Sequence, residues 1–297
     1  MDKHLFWLAS FPKSGNTLLR SILTALFFTH DGVFSLDKLN NISQFERTIH
    51  VFKNKDIFGD TFDKIGKTSL FYRYLLKLQT KKVLGLKNDF IFFKTHSGLF
   101  EIANNPFTIS QNTRGVIYII RDPRDVCISW SKHLGISIDK SINNMTDQLA
   151  SSFWVEPKQR EYFEERKRPK SFISSWDKHV LSWTSMKWKV PLKVIKYEDL
   201  VYNKNDTIRE IVSFFIDNFN FNFRNLDVKI KNILSTTDFQ KLKREEKEKG
   251  FIESANDDFF SIGKKEQWKE ILKNYQIKKI EKNFSTVMEK FNYELSS

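Results

Sequence analysis

The chain has 297 residues, of which 40% are hydrophobic and 29% are charged, and it contains 29 phenylalanines and 7 tryptophans. This length and aromatic content allow a sizeable buried core and exclude a largely disordered protein. The formal net charge of +13 favours anionic partners: nucleic acid, an acidic membrane surface or a phosphorylated ligand. Much of the lysine excess is interleaved with acids, as in KLKREEKEK at 241–249, so composition alone also accounts for the charge.

Cys127 is the single cysteine, which excludes an intrachain disulfide and a cysteine-based metal site. A chain without disulfides suits a reducing compartment, so we predict a cytoplasmic protein. The N-terminus lacks a basic region followed by an unbroken apolar stretch, and no long apolar run occurs. Neither a secretory signal nor a membrane span is therefore expected.

Short apolar runs alternate with segments of helical periodicity along the chain. This alternation is typical of an α/β fold with a mostly parallel central sheet. After the third run, Asp122 and Pro123 are suited to the N-cap and first position of a helix. We predict strands at LFWLAS (5–10), IFFK (91–94), GVIYII (115–120) and LKVIKY (192–197), and helices at about 16–29, 172–189 and 207–217.

No repeat and no Gly/Ser-rich linker divides the sequence, so we predict one domain spanning 1–297. Two stretches, 152–171 and 244–265, look less regular because they carry mixed charges and, in the first, two prolines. Each is long enough to form a mobile lid or a surface excursion.

The sequence SFPKSGNT joins the first predicted strand to the first predicted helix. Backbone N–H groups at a helix N-terminus bind phosphate, and Gly15 allows close approach of the backbone. Ser14, Asn16 and Thr17 add side-chain donors, and Lys13 adds a positive charge. The loop differs from the nucleotide-binding pattern GxxxxGK[ST], because its lysine precedes the glycine. A plain strand-to-helix turn with an incidental lysine is the alternative.

The carboxyl ends of all four predicted strands carry basic or aromatic polar side chains. Ligands of open α/β sheets bind beyond these strand ends, so the sequence predicts one shared anion site there. A solvated surface explains any one of these residues but explains the whole set poorly. The residues are Lys13, Lys94, His96, Arg121 and Tyr197.

In order and spacing, these motifs resemble those of sulfotransferases that use 3′-phosphoadenosine 5′-phosphosulfate (PAPS), of the cytosolic type and in a bacterial-like form. PKSGNT resembles the family's 5′-phosphosulfate loop, and RDPRDVCIS resembles its 3′-phosphate motif. KTH resembles the motif of the catalytic histidine, YEDL is a further landmark, and STTDF at 235–239 resembles the adenine-packing segment. The resemblance extends from about residue 5 to about residue 275.

The resemblance implies a three-layer α/β/α fold like that of the P-loop-containing nucleoside triphosphate hydrolases. It implies transfer of a sulfuryl group to a hydroxyl of a small molecule, lipid or glycan, with 3′-phosphoadenosine 5′-phosphate (PAP) as product and no metal. His96 would be the general base, Lys13 would stabilise the leaving phosphate, and Lys94 would contact the sulfuryl group. By resemblance, the residues that bind the donor are Lys13, Ser14, Gly15, Asn16, Thr17, Leu18, Arg121, Ser129, Tyr197, Phe239, Gly263 and Lys264.

Two positions depart from the family pattern. Leu18 stands where relatives often have an adenine-stacking tryptophan, so Phe239, Trp7 or another aromatic residue would have to supply that contact. The stretch Ser261-Ile262-Gly263 before Trp268 lacks the Arg-Lys pair of relatives, and Lys264 with Lys265 would replace its charge.

Other functions stay open at this point. A kinase or NTPase on a related fold is disfavoured by the missing GK[ST] pair. A non-catalytic nucleotide or polyanion binder is compatible with the charge, although no nucleic-acid motif occurs. His133 and His179 are interpreted as packing or surface residues, Cys127 as buried, and Glu198 as a helix-capping residue. The sequence predicts neither the acceptor nor the oligomeric state.

Overall fold

The computed structural model describes residues 3–46, 53–152, 169–249 and 266–296. At its centre lies a parallel sheet of four strands in the order β2-β1-β5-β8, and all four are predicted strands. Two short antiparallel pairs, β3–β4 and β6–β7, lie outside this sheet. The strands are β1 Leu5–Ser10, β2 Ile91–Thr95, β3 Glu101–Ile102, β4 Asn105–Pro106, β5 Thr113–Ile120, β6 Ser151–Ser152, β7 Ser171–Phe172 and β8 Leu192–Lys196.

Helices follow or separate these strands along the chain. Among the described residues, three short 3₁₀ helices, Leu36–Asn41, Lys55–Ile57 and Gly59–Lys64, follow the first α-helix. The α-helices are α1 Asn16–Phe28, α2 Thr68–Leu78, α3 Lys81–Leu84, α4 Pro123–Leu134, α5 Ile138–Thr146, α6 Trp176–Thr184, α7 Tyr197–Tyr202, α8 Lys204–Phe219, α9 Leu226–Thr236, α10 Phe239–Lys249, α11 Trp268–Ile271 and α12 Asn274–Lys290.

The central strands are buried on both faces, which explains their continuous apolar sequences. Alternate residues of β1 enter different cores: Trp7 packs on one face of the sheet and Phe6 on the other. Helices α1, α8, α9 and α10 cover the face of Phe6, and helices α2, α4, α5, α6 and α12 cover the face of Trp7. The predicted α/β/α layering is therefore confirmed, and the carboxyl ends of all four strands meet at one edge.

The predicted helix at 172–189 is shorter in the structure, where α6 contains only residues 176–184. Phe172 instead belongs to β7, and its carbonyl accepts a hydrogen bond from the Gly98 N–H. Ser174 has a φ of 63°, in the left-handed region, which a continuing right-handed helix does not contain. Because strand pairing takes these backbone groups, the helix begins only after Ser175.

The described residues of the two predicted lid segments include parts of a strand pair and of a helix. Ser152 and Ser171 pair in the β6–β7 hairpin, and residues 244–249 continue α10. The remainder of both segments, 153–168 and 250–265, lies outside the described residues. Across the described ranges, no helix combines the length and apolar character needed to cross a bilayer.

Candidate active site

The turn after β1 has an unusual backbone at two positions. Lys13 has a φ of 66° and Gly15 a φ of 95°. A side chain in this left-handed region costs about 1–2 kcal/mol, so Lys13 is held in place by its surroundings. A Cβ added to Gly15 would lie 2.2 Å from Cδ2 of Tyr197, so the ring of Tyr197 occupies the space that a side chain would need.

The turn and the following helix end are suited to an anion. Helix α1 has no side-chain cap and no acidic residue in its first turn, which keeps its positive dipole end uncompensated. Ser14 Oγ and Arg121 Nε are buried without a hydrogen-bond partner among the described residues. Both atoms are donors, and an unpaired buried donor costs about 1–3 kcal/mol. An oxyanion bound beside each of these atoms would accept its hydrogen bond.

Asn16 ties the turn to the strand before it. Its side-chain amide donates hydrogen bonds to the Leu8 carbonyl at 3.2 Å and to Ser10 Oγ at 3.1 Å. Asn16 and Thr17 are both buried in the first turn of α1. The Asn16 amide nitrogen therefore fixes the turn, and its Oδ1, which has no partner among the described residues, is an acceptor.

His96 follows β2 at the same edge of the sheet and is half-buried. Its Nδ1 lies 2.9 Å from the Ser10 carbonyl oxygen and 3.3 Å from Ser10 Oγ. Because a carbonyl oxygen only accepts, Nδ1 carries the proton in the neutral ring. Nε2 then holds the lone pair, as a general base requires.

The two lysines of the predicted site belong to neighbouring strands: Lys94 lies on β2, and Lys13 follows β1. Lys94 is buried on β2, and its backbone bonds to Ser43 and Phe45, which extend the sheet edge. Burial, with the charges of Lys13 and Lys94, lowers the pKa of His133 to about 4. His133 therefore lies close enough to both lysines to be affected by their charges. The interpretation of His133 as a packing or surface residue did not include this closeness to the site. The sequence feature that indicates this closeness is the i, i+4 spacing from Ser129, because residues four apart lie on the same face of a helix.

Arg121 follows β5 and joins the turn to the fourth strand end. Its Nη1 donates to the Lys13 carbonyl at 3.2 Å, and its guanidinium carbon lies 4.4 Å from the Tyr197 ring centroid. Burial raises the pKa of Tyr197, so its hydroxyl stays neutral. Tyr197 thus supports both Gly15 and Arg121.

Helix α4 begins as predicted. Asp122 caps it by accepting from the Arg124 N–H at 2.9 Å, and Pro123 is its first residue. Ser129 lies further along this helix and is half-buried. The prediction of Glu198 as a helix cap is wrong, because it lies inside α7, whose N-cap is Lys196 and which has no side-chain cap. Its Oε1 instead accepts a hydrogen bond from the Asp122 N–H at 3.2 Å, across the sheet edge.

The C-terminal part of the chain attaches to α4 beside this site. Asp125 accepts hydrogen bonds from the N–H groups of Glu266 at 2.8 Å and Trp268 at 3.1 Å. The Trp268 ring lies 3.7 Å from the guanidinium carbon of Arg124. Gly263 and Lys264, predicted donor-binding residues, lie outside the described residues.

The structure changes the predictions for the adenine contact. Leu18 is only 3% exposed and packs in the core on the α1 side of the sheet. Trp7 is fully buried against Phe45 and Phe107 on the opposite face, so stacking by Trp7 is wrong. Phe239 begins α10 and is partly buried, with the Lys204 ammonium 6.0 Å from its ring centroid. Of the two named aromatic candidates, Phe239 is thus the one whose ring is partly exposed.

Replacing Gly15 by alanine should destabilise the protein more than the same change at Gly85. Both glycines have a positive φ, but a Cβ at Gly85 meets nothing within 4 Å, whereas one at Gly15 meets the Tyr197 ring. We expect Gly85→Ala to cost about 1 kcal/mol of unfolding free energy and Gly15→Ala about 2–4 kcal/mol. Urea denaturation measures both values. Equal losses would show that the ring of Tyr197 moves aside freely.

A fully buried histidine lies behind the site. His179 Nε2 donates to the His96 carbonyl at 3.1 Å, and its Nδ1 accepts from the Tyr118 hydroxyl at 2.8 Å. Burial lowers the pKa of His179 to about 3, from the ordinary value of 6.5. The interpretation as a packing residue is therefore incomplete, because the ring also makes two specific hydrogen bonds.

This shift predicts the direction of a pH effect on stability. Between pH 6.5 and about 3 the unfolded chain protonates His179 and the native state does not, so acid lowers the unfolding free energy. From pH 7.5 to pH 5 this one residue should contribute a loss of about 2 kcal/mol. In His179→Gln that contribution should vanish. Urea denaturation at both pH values gives the comparison, and parallel curves for wild type and His179→Gln would contradict it.

Comparison with known proteins adds to this geometry. The sulfotransferase domain family matches residues 3–292. The structure is similar to that of mouse sulfotransferase SULT7A1 complexed with PAP, with a TM-score of 0.58 and 17% identity, covering 97% of this chain and 84% of that chain. It is also similar to retinol dehydratase in a complex with retinol and PAP, with a TM-score of 0.58 and 17% identity, covering 97% and 82% of the two chains.

A second structure of retinol dehydratase, with androsterone and the inactive cofactor PAP, has a TM-score of 0.54 and 15% identity, covering 96% and 80% of the two chains. These likenesses show the fold, a P-loop-like α/β architecture with a parallel central sheet and surrounding helices. The family match spans nearly all of the sequence. The chain belongs to the sulfotransferase domain family.

Proposed function

We propose that this protein transfers a sulfuryl group from PAPS to an acceptor hydroxyl and releases PAP. The observation that carries the proposal is the meeting of three features at one sheet edge. These are a donor-rich turn after β1, Arg121 after β5, and His96 after β2 with its Nε2 as the proton acceptor. The similar structures of SULT7A1 and retinol dehydratase were solved with PAP, which supports the same donor class here.

The described residues fit such a donor. Ser14 Oγ and the N-terminus of α1 suit the 5′-phosphosulfate, because they present donors and the first turn of α1 contains no acidic residue. Arg121 and Ser129 are the proposed 3′-phosphate ligands, since the buried Nε of Arg121 is a donor without a partner among the described residues. When bound, PAPS supplies the sulfuryl group and a phosphate leaving group.

In the proposed mechanism, His96 orients and deprotonates the acceptor hydroxyl. The Ser10 carbonyl holds the proton on Nδ1, so Nε2 accepts the hydroxyl proton as the oxygen attacks. The attack is in line with the leaving group, as in phosphoryl transfer, and positioning with electrostatic stabilisation supplies most of the rate.

The two lysines balance the negative charge of the transition state. Lys13, whose backbone is fixed by its carbonyl bond to Arg121, stabilises the charge that develops on the leaving phosphate. Lys94 lies two residues before His96 on β2 and contacts the transferring group. The pKa of the nearby His133 is lowered to about 4, so this residue is neutral at neutral pH and the positive charge comes from the two lysines.

The proposal is tested with purified protein, PAPS carrying ³⁵S and a panel of phenols, apolar alcohols and glycans. Labelled product and a thermal shift with PAP larger than that with AMP are expected, because AMP lacks the 3′-phosphate that Arg121 would bind. No labelled product and no shift with either nucleotide would contradict the proposal. Magnesium-dependent ATP turnover would support a kinase or NTPase instead, and steeply salt-dependent DNA binding would support a polyanion binder.

A further inference from the structure

The two residues that flank His96 bond to one buried carboxylate. Thr95 Oγ1 and Ser97 Oγ donate to the same Oε1 of Glu46, at 2.5 Å and 2.6 Å. The Ser97 N–H also donates to Thr95 Oγ1 at 2.9 Å. Glu46 is only 3% exposed and follows the edge segment that pairs with β2 through Phe45 and Lys94.

The other side of the same turn is held by helix α6. His179 donates to the His96 carbonyl at 3.1 Å, and Trp183 Nε1 donates to the Ser97 carbonyl at 3.0 Å. His179 is in turn fixed by the Tyr118 hydroxyl at 2.8 Å, from β5. Two consecutive carbonyls after β2 thus accept from side chains of one helix.

These hydrogen bonds hold the backbone just beyond the point where the pairing of β2 with β1 ends. Strand β2 and its pairing with β1 end at Thr95, one residue before His96. Groups from elsewhere in the chain hold His96. The Glu46 carboxylate bonds to its neighbours, the His179 ring bonds to its carbonyl, and the Ser10 carbonyl bonds to its ring. A displacement of about 1 Å in a catalytic group can cost about 10²-fold in rate.

We propose that Glu46 and His179 are positioning residues that hold His96 in the orientation and tautomer needed for proton transfer. This inference rests on the proposed function, since it assigns His96 the role of base. Neither residue is placed here in contact with the donor or acceptor. The Glu46 carboxylate accepts hydrogen bonds from Thr95 and Ser97, and His179 is enclosed in the core.

The test compares disruptive and conservative substitutions at each position. His179→Phe removes both hydrogen bonds at similar volume, whereas His179→Gln keeps a donor for the His96 carbonyl. Glu46→Leu removes the shared acceptor, whereas Glu46→Gln keeps a carbonyl oxygen for both hydroxyls. Should Glu46→Leu fail to fold by circular dichroism, the isosteric Thr95→Val removes one of the two donors instead.

The matched control is His4→Phe. His4 is also a buried histidine whose Nε2 bonds to a backbone carbonyl, that of Gln79 at 2.8 Å, but it precedes β1 at the opposite edge of the sheet. His4→Phe should lower the melting temperature as much as His179→Phe does and leave kcat unchanged.

Two readouts separate positioning from simple stability. We expect His179→Phe and Glu46→Leu to lower kcat by about 10–100-fold with KM for PAPS changed less than about threefold, and the conservative variants to recover most of kcat. The second readout is the ring tautomer of His96, from ¹⁵N NMR of protein with its 6 histidines labelled, assigned with His96→Gln. Wild type should show the Nδ1–H form, and both disruptive variants a mixture of tautomers.

Unchanged kcat and an unchanged tautomer in both disruptive variants would overturn the inference. So would a loss of kcat that follows melting temperature across all variants, His4→Phe included. A wild-type protein that transfers no sulfuryl group, yet shows the Nδ1–H form in wild type and mixed tautomers in both variants, would contradict the proposed function and support the positioning of His96.

Discussion

Replacing His96 by alanine should lower kcat for sulfuryl transfer by about 10²–10⁴-fold, the usual effect of removing a general base. The alanine side chain cannot take the proton of the acceptor hydroxyl. The Kd for PAP should change less than about threefold, because the structure places His96 against Ser10 and not within the turn at Lys13 to Thr17. Single-turnover assays with labelled PAPS and calorimetric titration with PAP measure the two quantities.

His30→Ala is the matched control for this substitution. His30 is exposed beyond the end of α1, far along the helix from the turn, and its loss should leave both kcat and Kd unchanged. A His96→Ala protein that keeps wild-type kcat would remove the base from the proposed mechanism. A protein that binds PAP equally well but shows no turnover even as wild type would be a non-catalytic nucleotide binder.

Lys13→Met should lower kcat/KM for PAPS by about 10²–10³-fold, the range seen when one stabilising group is removed from a charged transition state. Methionine is unbranched, is one heavy atom shorter than lysine and carries no charge. The backbone carbonyl of residue 13 still accepts from Arg121, so the turn should keep its shape. Steady-state kinetics at varied PAPS concentration measure the loss, and circular dichroism confirms the fold.

Lys193→Met supplies the control for the loss of a positive charge. Lys193 forms a surface ion pair with Glu210 at 2.7 Å on the outer strand β8, and such pairs contribute about 0–1 kcal/mol to stability. Its loss should leave kcat/KM within about twofold of wild type. If Lys13→Met and Lys193→Met behave alike, the positive charge at position 13 has no role in stabilising the leaving phosphate.

Local patterns of residues were enough to predict the scaffold of the site. LFWLAS is confirmed as β1 at Leu5–Ser10, and the Asp122-Pro123 pair starts α4 as predicted. These features depend on burial of a short apolar run or on one hydrogen bond between near neighbours. The same reasoning overestimated the length of α6, because Phe172 pairs with Ser151 from a distant segment of the chain. Single-domain organisation, cytoplasmic location and the roles of Gly263 and Lys264 stay predictions.

The strand ends, the proposed anion-binding turn and the family resemblance therefore follow from the order of residues along the chain. What surrounds the proposed base does not. Glu46 reaches Thr95 across 49 positions, and His179 reaches the His96 carbonyl across 83. No periodicity or spacing identifies such partners, because they meet only when the sheet edge and α6 pack together. Long-range packing thus decides which histidine is held at the site as the proposed base and which is buried, neutral, behind it.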